Sequence, residues 1–179
     1  MAVVSSYPRL ARAAVAAGLT GGRAPSPLDI CPEAEVWPPR RACFVSLKTA
    51  AGALRGCIGT IYPAQADLGR EIMANAVSAA TRDPRFPPLT LEELAGVVFS
   101  VDVLSEPEPV ADWGDLDPAR WGVIVRQGGR RGLLLPDLDG VDTVEQQIAI
   151  AARKAGIFDL KNIELQRFSV ERHPEETRP

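Results

Sequence analysis

Arg55-Gly56-Cys57-Ile58-Gly59 sets a thiol between two glycines, with a guanidinium two residues before it. A cysteine thiolate is a good nucleophile, and a cation such as Arg55 beside it favours its formation. Gly56 and Gly59 let the backbone approach a ligand where a side chain would obstruct it, and exposed amides there can receive an anion. Arg55 adds a planar donor fork suited to carboxylate or phosphate. The same residues also support a plain structural reading: the glycines mark a bulge, Arg55 faces solvent, and Cys57 is a small core hydrophobe. A second run, Arg82-Asp83-Pro84-Arg85-Phe86-Pro87-Pro88, gathers two arginines, an acid, a ring and three prolines in one rigid turn. Either it walls a cleft, or Asp83 pairs with Arg82 or Arg85 to fix the turn while Phe86 plugs the core. Asn75, polar on an otherwise apolar helix face, is either solvated or aimed at the same place.

Other chemistries are disfavoured. Cys31, Cys43 and Cys57 are odd in number and too far apart for a Cys-x-x-Cys pair, against both a disulfide framework and a zinc site. No metal is expected, and the residues name no cofactor. His173 is the only histidine, so a Ser-His-Asp triad or a Cys-His pair would rest on it alone. A formal charge of −3, with lysines and arginines scattered among acids, offers no field for a nucleic-acid backbone or an anionic membrane. The Ala13–Leu19 stretch is short, with Pro8, Arg9 and Arg12 before it, so neither an export signal nor a membrane helix is expected. With the unpaired cysteines, this predicts a cytoplasmic protein.

The elements that must carry these residues follow from pattern. With 179 residues, 46% of them hydrophobic, the chain suits one domain over 1–179. A helix is expected over Arg9–Ala17 with Gly18 as its stop, then a Pro/Gly/Ser-rich surface connection over 21–39. Cys43–Leu47 and Leu54–Ile58 read as a hairpin. Asp67 caps a helix that ends near Arg82, because Asp83 precedes Pro84. Thr90 with Glu93, and Thr143 with Gln146, have capping-box spacing, the second opening a helix that stops at Gly156. Val97 to Leu104 alternates as a half-buried strand, Trp121–Arg126 and Arg131–Leu135 flank Gly128-Gly129 as a hairpin, and Ile163–Val170 is a last strand. From Pro174 the tail need not fold. No internal repeat is visible, and hairpins mixed with helices predict an α+β fold of antiparallel or mixed sheets with flanking helices.

Phe44-Val45-Ser46-Leu47-Lys48, Leu54-Arg55-Gly56-Cys57-Ile58-Gly59, Asn75-Ala76, Arg82-Asp83-Pro84-Arg85-Phe86-Pro87-Pro88-Leu89, Gly122-Val123-Ile124-Val125 and Gly132-Leu133-Leu134-Leu135-Pro136 together resemble the AMMECR domain family in order and spacing. The resemblance runs from about Leu10 to Val170. It implies two unequal lobes, with the Leu54–Gly59 motif and the Asp83 loop close to a cleft between them. It also implies Memo-type or radical-SAM partner proteins, whereas it supplies no reaction. Many members carry a cysteine just before the last helix's Lys-Ala-Gly, where this chain has Ala152 and Arg153, so a two-cysteine mechanism is not expected here. Two functions follow. One is an enzyme or ligand-processing domain, taking a small anionic, nucleotide-like or peptide ligand at Arg55, Gly56, Gly59, Asn75, Arg82, Asp83, Arg85 and Phe86 with Cys57 catalytic. The other is a non-catalytic adaptor that binds a partner protein through the cleft and the Asp83–Pro88 loop.

Overall fold

The computed structural model describes residues 5–30 and 40–176, so Cys31 and the 31–39 part of the expected 21–39 connection lie outside the described residues. The chain divides into two compact units: the first runs through Val103 and resumes at Arg172, and the second spans Leu104–Glu171. Both mix helices with antiparallel strands, an α+β fold.

The first unit opens with helix α1, Tyr7–Thr20, which buries Leu10, Ala11, Ala14 and Val15. It runs past Gly18, where the sequence suggests a stop. Gly21 is the residue that takes the left-handed turn, at φ +66°, and ends the helix. A one-turn helix, α2, follows at Pro27–Ile30. Strands β1, Cys43–Thr49, and β2, Leu54–Gly59, form the expected hairpin. Their register pairs Leu47 with Gly56 and Lys48 with Leu54, leaving Arg55 as the extra residue of a bulge. Helix α3, Leu68–Thr81, starts on Asp67, whose carboxylate accepts from the Arg70 amide at 2.8 Å. Leu89 N–H returns to Ala80 O at 2.7 Å, folding the Asp83 loop back on the helix end. The capping box of Thr90 and Glu93 opens α4, Leu91–Leu94, and strand β3, Val97–Leu104, pairs with β1.

The second unit begins with a short strand, β4, Glu108–Val110, and a 3-10 turn at Trp113–Asp115, neither of which the sequence pattern announces. Strands β5, Gly122–Gln127, and β6, Arg130–Leu134, form the second hairpin, in which Gly128 alone takes positive φ. Helix α5, Val144–Lys154, opens on the Thr143/Gln146 capping box, and strand β7, Glu164–Phe168, pairs with both β5 and β4. The last strand, β8, Val170–Pro174, completes the first sheet. The strand orders are β2-β1-β3-β8 and β4-β7-β5-β6, which makes β2 and β6 edge strands.

Each unit has its own core. Val45, Leu47, Phe99 and Val101 on the first sheet meet Leu10 of α1 and Leu68, Ile72 and Ala76 of α3, all 0% exposed. Val123, Val125 and Leu165 meet Ile148 and Ala151 of α5 in the second. Full burial of one such Leu, Val or Ile is worth about 1.5–3 kcal/mol. Of the tail expected from Pro174, residues 174–176 are described, and Glu175 among them is held by the first unit. Glu175 accepts from Arg12 Nε and Nη2, each at 2.7 Å, and from the Phe99 amide at 2.9 Å, while His173 packs on the Tyr7 ring at 4.6 Å.

Candidate functional site

On an edge strand, alternate N–H and C=O groups lack a neighbouring strand. Cys57 exposes one such pair on β2, and the Asp83 loop supplies its partners. The Cys57 N–H donates to Asp83 Oδ2 at 2.8 Å, and Arg85 Nη2 donates to Cys57 O at 3.3 Å. Asp83 is buried, yet its carboxylate also accepts from the Arg85 amide (3.1 Å), Nε (3.0 Å) and Nη2 (2.7 Å). A buried carboxylate is tolerated when donors surround it in this way. The Arg85 guanidinium therefore holds the Asp83 carboxyl well below the usual carboxylate range, with the Cys57 amide adding to the effect against burial. Asp83 in turn holds Arg85 in its charged form, and the Cys57 side chain is a lesser contributor beside it.

Arg55 is aimed by its bulge. Its Nε and Nη2 grip both oxygens of Glu93 at 3.0 Å, and Nη1 donates to Pro87 O at 3.0 Å. Arg55 pulls the Glu93 carboxyl down to about 2, helped by the Thr90 amide. With its side chain 12% exposed, Arg55 neither faces solvent nor offers a free fork. Phe86 is half-buried between the two cations, 5.9 Å from Arg55 and 5.6 Å from Arg85. Thus Asp83 pairs with Arg85, and Phe86 packs on guanidinium planes.

The two glycines are packed against protein. A Cβ at Gly56 would fall 2.2 Å from Ala79 O on α3, and one at Gly59 would fall 2.3 Å from the Phe44 ring. Because Gly56 faces α3, alternation turns Cys57 to the opposite face of the sheet. There its Sγ lies 3.3 Å from Ser46 Oγ, and the residue is only partly buried. Ser46 also pairs in register with Ser100, and Phe44 with Asp102, whose buried carboxylate accepts from Arg172 Nε at 3.0 Å. A thiol and two hydroxyls therefore form one row across three strands. Ser46, Ser100 and Asp102 escape sequence reasoning because only register aligns them with Cys57. The available signal is the polar half of the alternation in Phe44-Val45-Ser46-Leu47 and Phe99-Ser100-Val101-Asp102.

Two expected site residues lie elsewhere. Asn75 is 5% exposed on the core side, where its Nδ2 donates to Cys43 O at 3.0 Å. Burial pushes the Cys43 thiol up to about 12, partly offset by the Asn75 hydrogen bond. Arg82 lines a cavity between α1 and α3 that none of Arg55, Cys57, Asp83, Arg85 or Phe86 lines. Sequence reasoning also passes over Glu71, although it falls on the inner stripe of α3 between Leu68 and Ile72. It is 1% exposed and fixes the turn after β2 by accepting from Thr60 Oγ1 (2.6 Å), Ala64 N (2.9 Å) and Gln65 N (2.7 Å).

Among the described residues no group of three or more His, Cys, Asp or Glu is placed to hold a metal ion, and no helix is long and apolar enough to cross a membrane. A Thermotoga maritima protein is 52% identical over 153 residues, covering 85% of this chain and 87% of its own length. Protein CA_C1420 of Clostridium acetobutylicum is 45% identical over 94% of this chain, which spans only 36% of that longer relative. The crystal structure of the uncharacterized protein PH0010 from Pyrococcus horikoshii is 33% identical and superposes with a TM-score of 0.79 over 93% of this chain and 88% of that one. The AMMECR1 family model matches residues 8–173, through both hairpins, both units and the Cys57–Asp83 junction, and the chain belongs to that family.

Proposed function

We propose that the chain is a ligand-processing domain whose working group is the Cys57 thiol, on a small anionic ligand drawn by Arg85. The observation that carries this reading is the setting of Cys57: the residue is only partly buried, its Sγ lies 3.3 Å from the Ser46 hydroxyl, and its carbonyl is held by a guanidinium whose side chain remains 55% exposed. A thiol on a partly buried residue can meet a ligand, whereas a core thiol such as that of Cys43 cannot. Arg85 offers its exposed edge to the anion while Asp83 fixes its position. Arg55, spent on Glu93, serves to hold the loop.

Native protein treated with iodoacetamide and mapped by mass spectrometry is expected to be alkylated at Cys57 long before Cys43, and sulfate is expected to slow the reaction at Cys57. Native-state protection of Cys57 equal to that of Cys43 overturns the reading. A second reading, a protein-interaction adaptor, is favoured by exposed Leu54 (40%) and Leu91 (54%). It leaves Cys57 alkylation without effect on partner binding, and Memo-type or radical-SAM proteins are the partners to test.

A further inference from the structure

Between α1 and α3 the first unit contains a cavity of about 430 Å3. Its walls follow from side-chain size. Helix α1 contributes Ala14 and Gly18, nothing larger than a methyl group, while α3 contributes Met73, Ala74 and Val77. The helices meet where a Cβ on Gly18 would stand 3.7 Å from Val77 Cγ2, an ordinary contact, so the space beside that crossing is left unfilled. A concave, mainly apolar space of about 300–1,000 Å3 with few polar groups is the usual form of a small-molecule site.

One of those polar groups is uncommitted. Arg12, Arg55, Arg85 and Arg172 each grip a carboxylate, and Arg70, which also lines the cavity, is held by Asp67. Arg82 lines the same cavity from the C-cap of α3, and its guanidinium makes no ion pair or hydrogen bond among the described residues. An apolar wall ending in an unmatched cation fits a ligand with an apolar body and a single anionic head. We propose that this cavity binds an apolar monocarboxylate, its chain against Met73 and Val77 and its carboxylate on Arg82. The negative end of the α3 dipole lies beside Arg82 and would repel the carboxylate if the cation were removed. The head group thus depends on one residue.

Met73 is one of the chain's two methionines, so methyl-13C-methionine labelling puts a reporter inside the cavity. Titration of the full chain with octanoate is expected to shift the Met73 signal saturably, with octanol binding more weakly. Arg82→Gln is expected to weaken octanoate about tenfold, the loss of one charge-assisted contact, and to leave octanol unchanged. Ala74→Phe, at an exposed position of α3, is expected to abolish both while keeping the melting temperature. The proposal is overturned if Met73 shows no saturable shift, if Arg82→Gln weakens both probes equally, or if Ala74→Phe leaves octanoate binding intact.

Discussion

The two units repeat one connectivity: a hairpin, a helix, then a strand that pairs antiparallel with the hairpin's first strand. In both, the hairpin's second strand has a glycine pressed against a helix carbonyl, Gly56 on Ala79 and Gly132 on Ala151. Register places Gly56 opposite Leu47 and Gly132 opposite Val125, so the next residues, Cys57 and Leu133, correspond. Even the outward carbonyl is treated alike, with Arg85 donating to Cys57 O and Lys154 Nζ to Leu133 O at 3.0 Å. The difference is local. Leu133 is 5% exposed, whereas Cys57 is half-exposed and its amide is held by a loop acid that α5 does not provide. The glycine therefore belongs to the frame, since it recurs without a thiol beside it, and what sets the first unit apart is Cys57 with Asp83 and Arg85.

The sharpest way to break this comparison is at the glycines. A methyl group at Gly56 or Gly132 would sit 2.2 or 2.0 Å from a backbone oxygen, so Gly56→Ala and Gly132→Ala should each destabilise by about 3 kcal/mol, measured by urea unfolding. If Gly56→Ala proves neutral while Gly132→Ala does not, the shared frame is wrong. Asp83→Ala comes next. It strips the Cys57 amide and Arg85 of their acceptor and should cost about 2–3 kcal/mol, whereas Lys154→Met, its counterpart at the other edge, should cost about 1 kcal/mol. Equal losses would mean that the Asp83 junction is only another carbonyl cap.

Acid separates Asp83 and Glu93 from the rest of the fold. Both carboxyls are lowered from ordinary values of 3.8 and 4.5, Asp83 chiefly by Arg85 and Glu93, to about 2, chiefly by Arg55. A lowered carboxyl binds fewer protons folded than unfolded, so its stabilisation is complete above the unfolded value and is lost as pH falls through the folded one. Wild type should lose stability from about pH 4.5 downward, and Asp83→Asn/Glu93→Gln should be less stable at neutral pH with a shallower acid slope. Circular dichroism against pH reads this directly, and an unchanged slope counts against both ion pairs. The smallest effect belongs to Ser46→Ala, expected to cost less than about 1 kcal/mol while changing the iodoacetamide rate at Cys57. An unchanged rate would remove Ser46 from the site.

What the sequence made legible was local. Asp67, Thr90 with Glu93, and Thr143 with Gln146 each act within four residues, and all three caps form. The hairpins carry their own turn residues. Sites that depend on distant partners were not legible: Glu175 meets Arg12 across 163 positions, and Arg55 meets Glu93 across 38. Likewise α1 passes through Gly18 because Gly21 takes the left-handed turn, a choice settled by packing. At the candidate site, the motif pointed to Cys57 and the Asp83 loop together. Between the two readings of its glycines, approach to a ligand or a structural bulge, the sequence does not choose, because the helix that fills the space above Gly56 cannot be inferred from the glycine alone.

Glu175 and β8 have a consequence for how the protein is made. The second unit lies wholly within Leu104–Glu171, while the first still lacks its fourth strand and the carboxylate for Arg12 when residue 171 is added. During synthesis, then, the inserted guest can finish folding before its host. Until the residues through Glu175 have left the ribosome, the β3 edge and the Arg12 guanidinium stand unguarded, and a nascent chain stalled before that point exposes a strand on which neighbouring copies can pair.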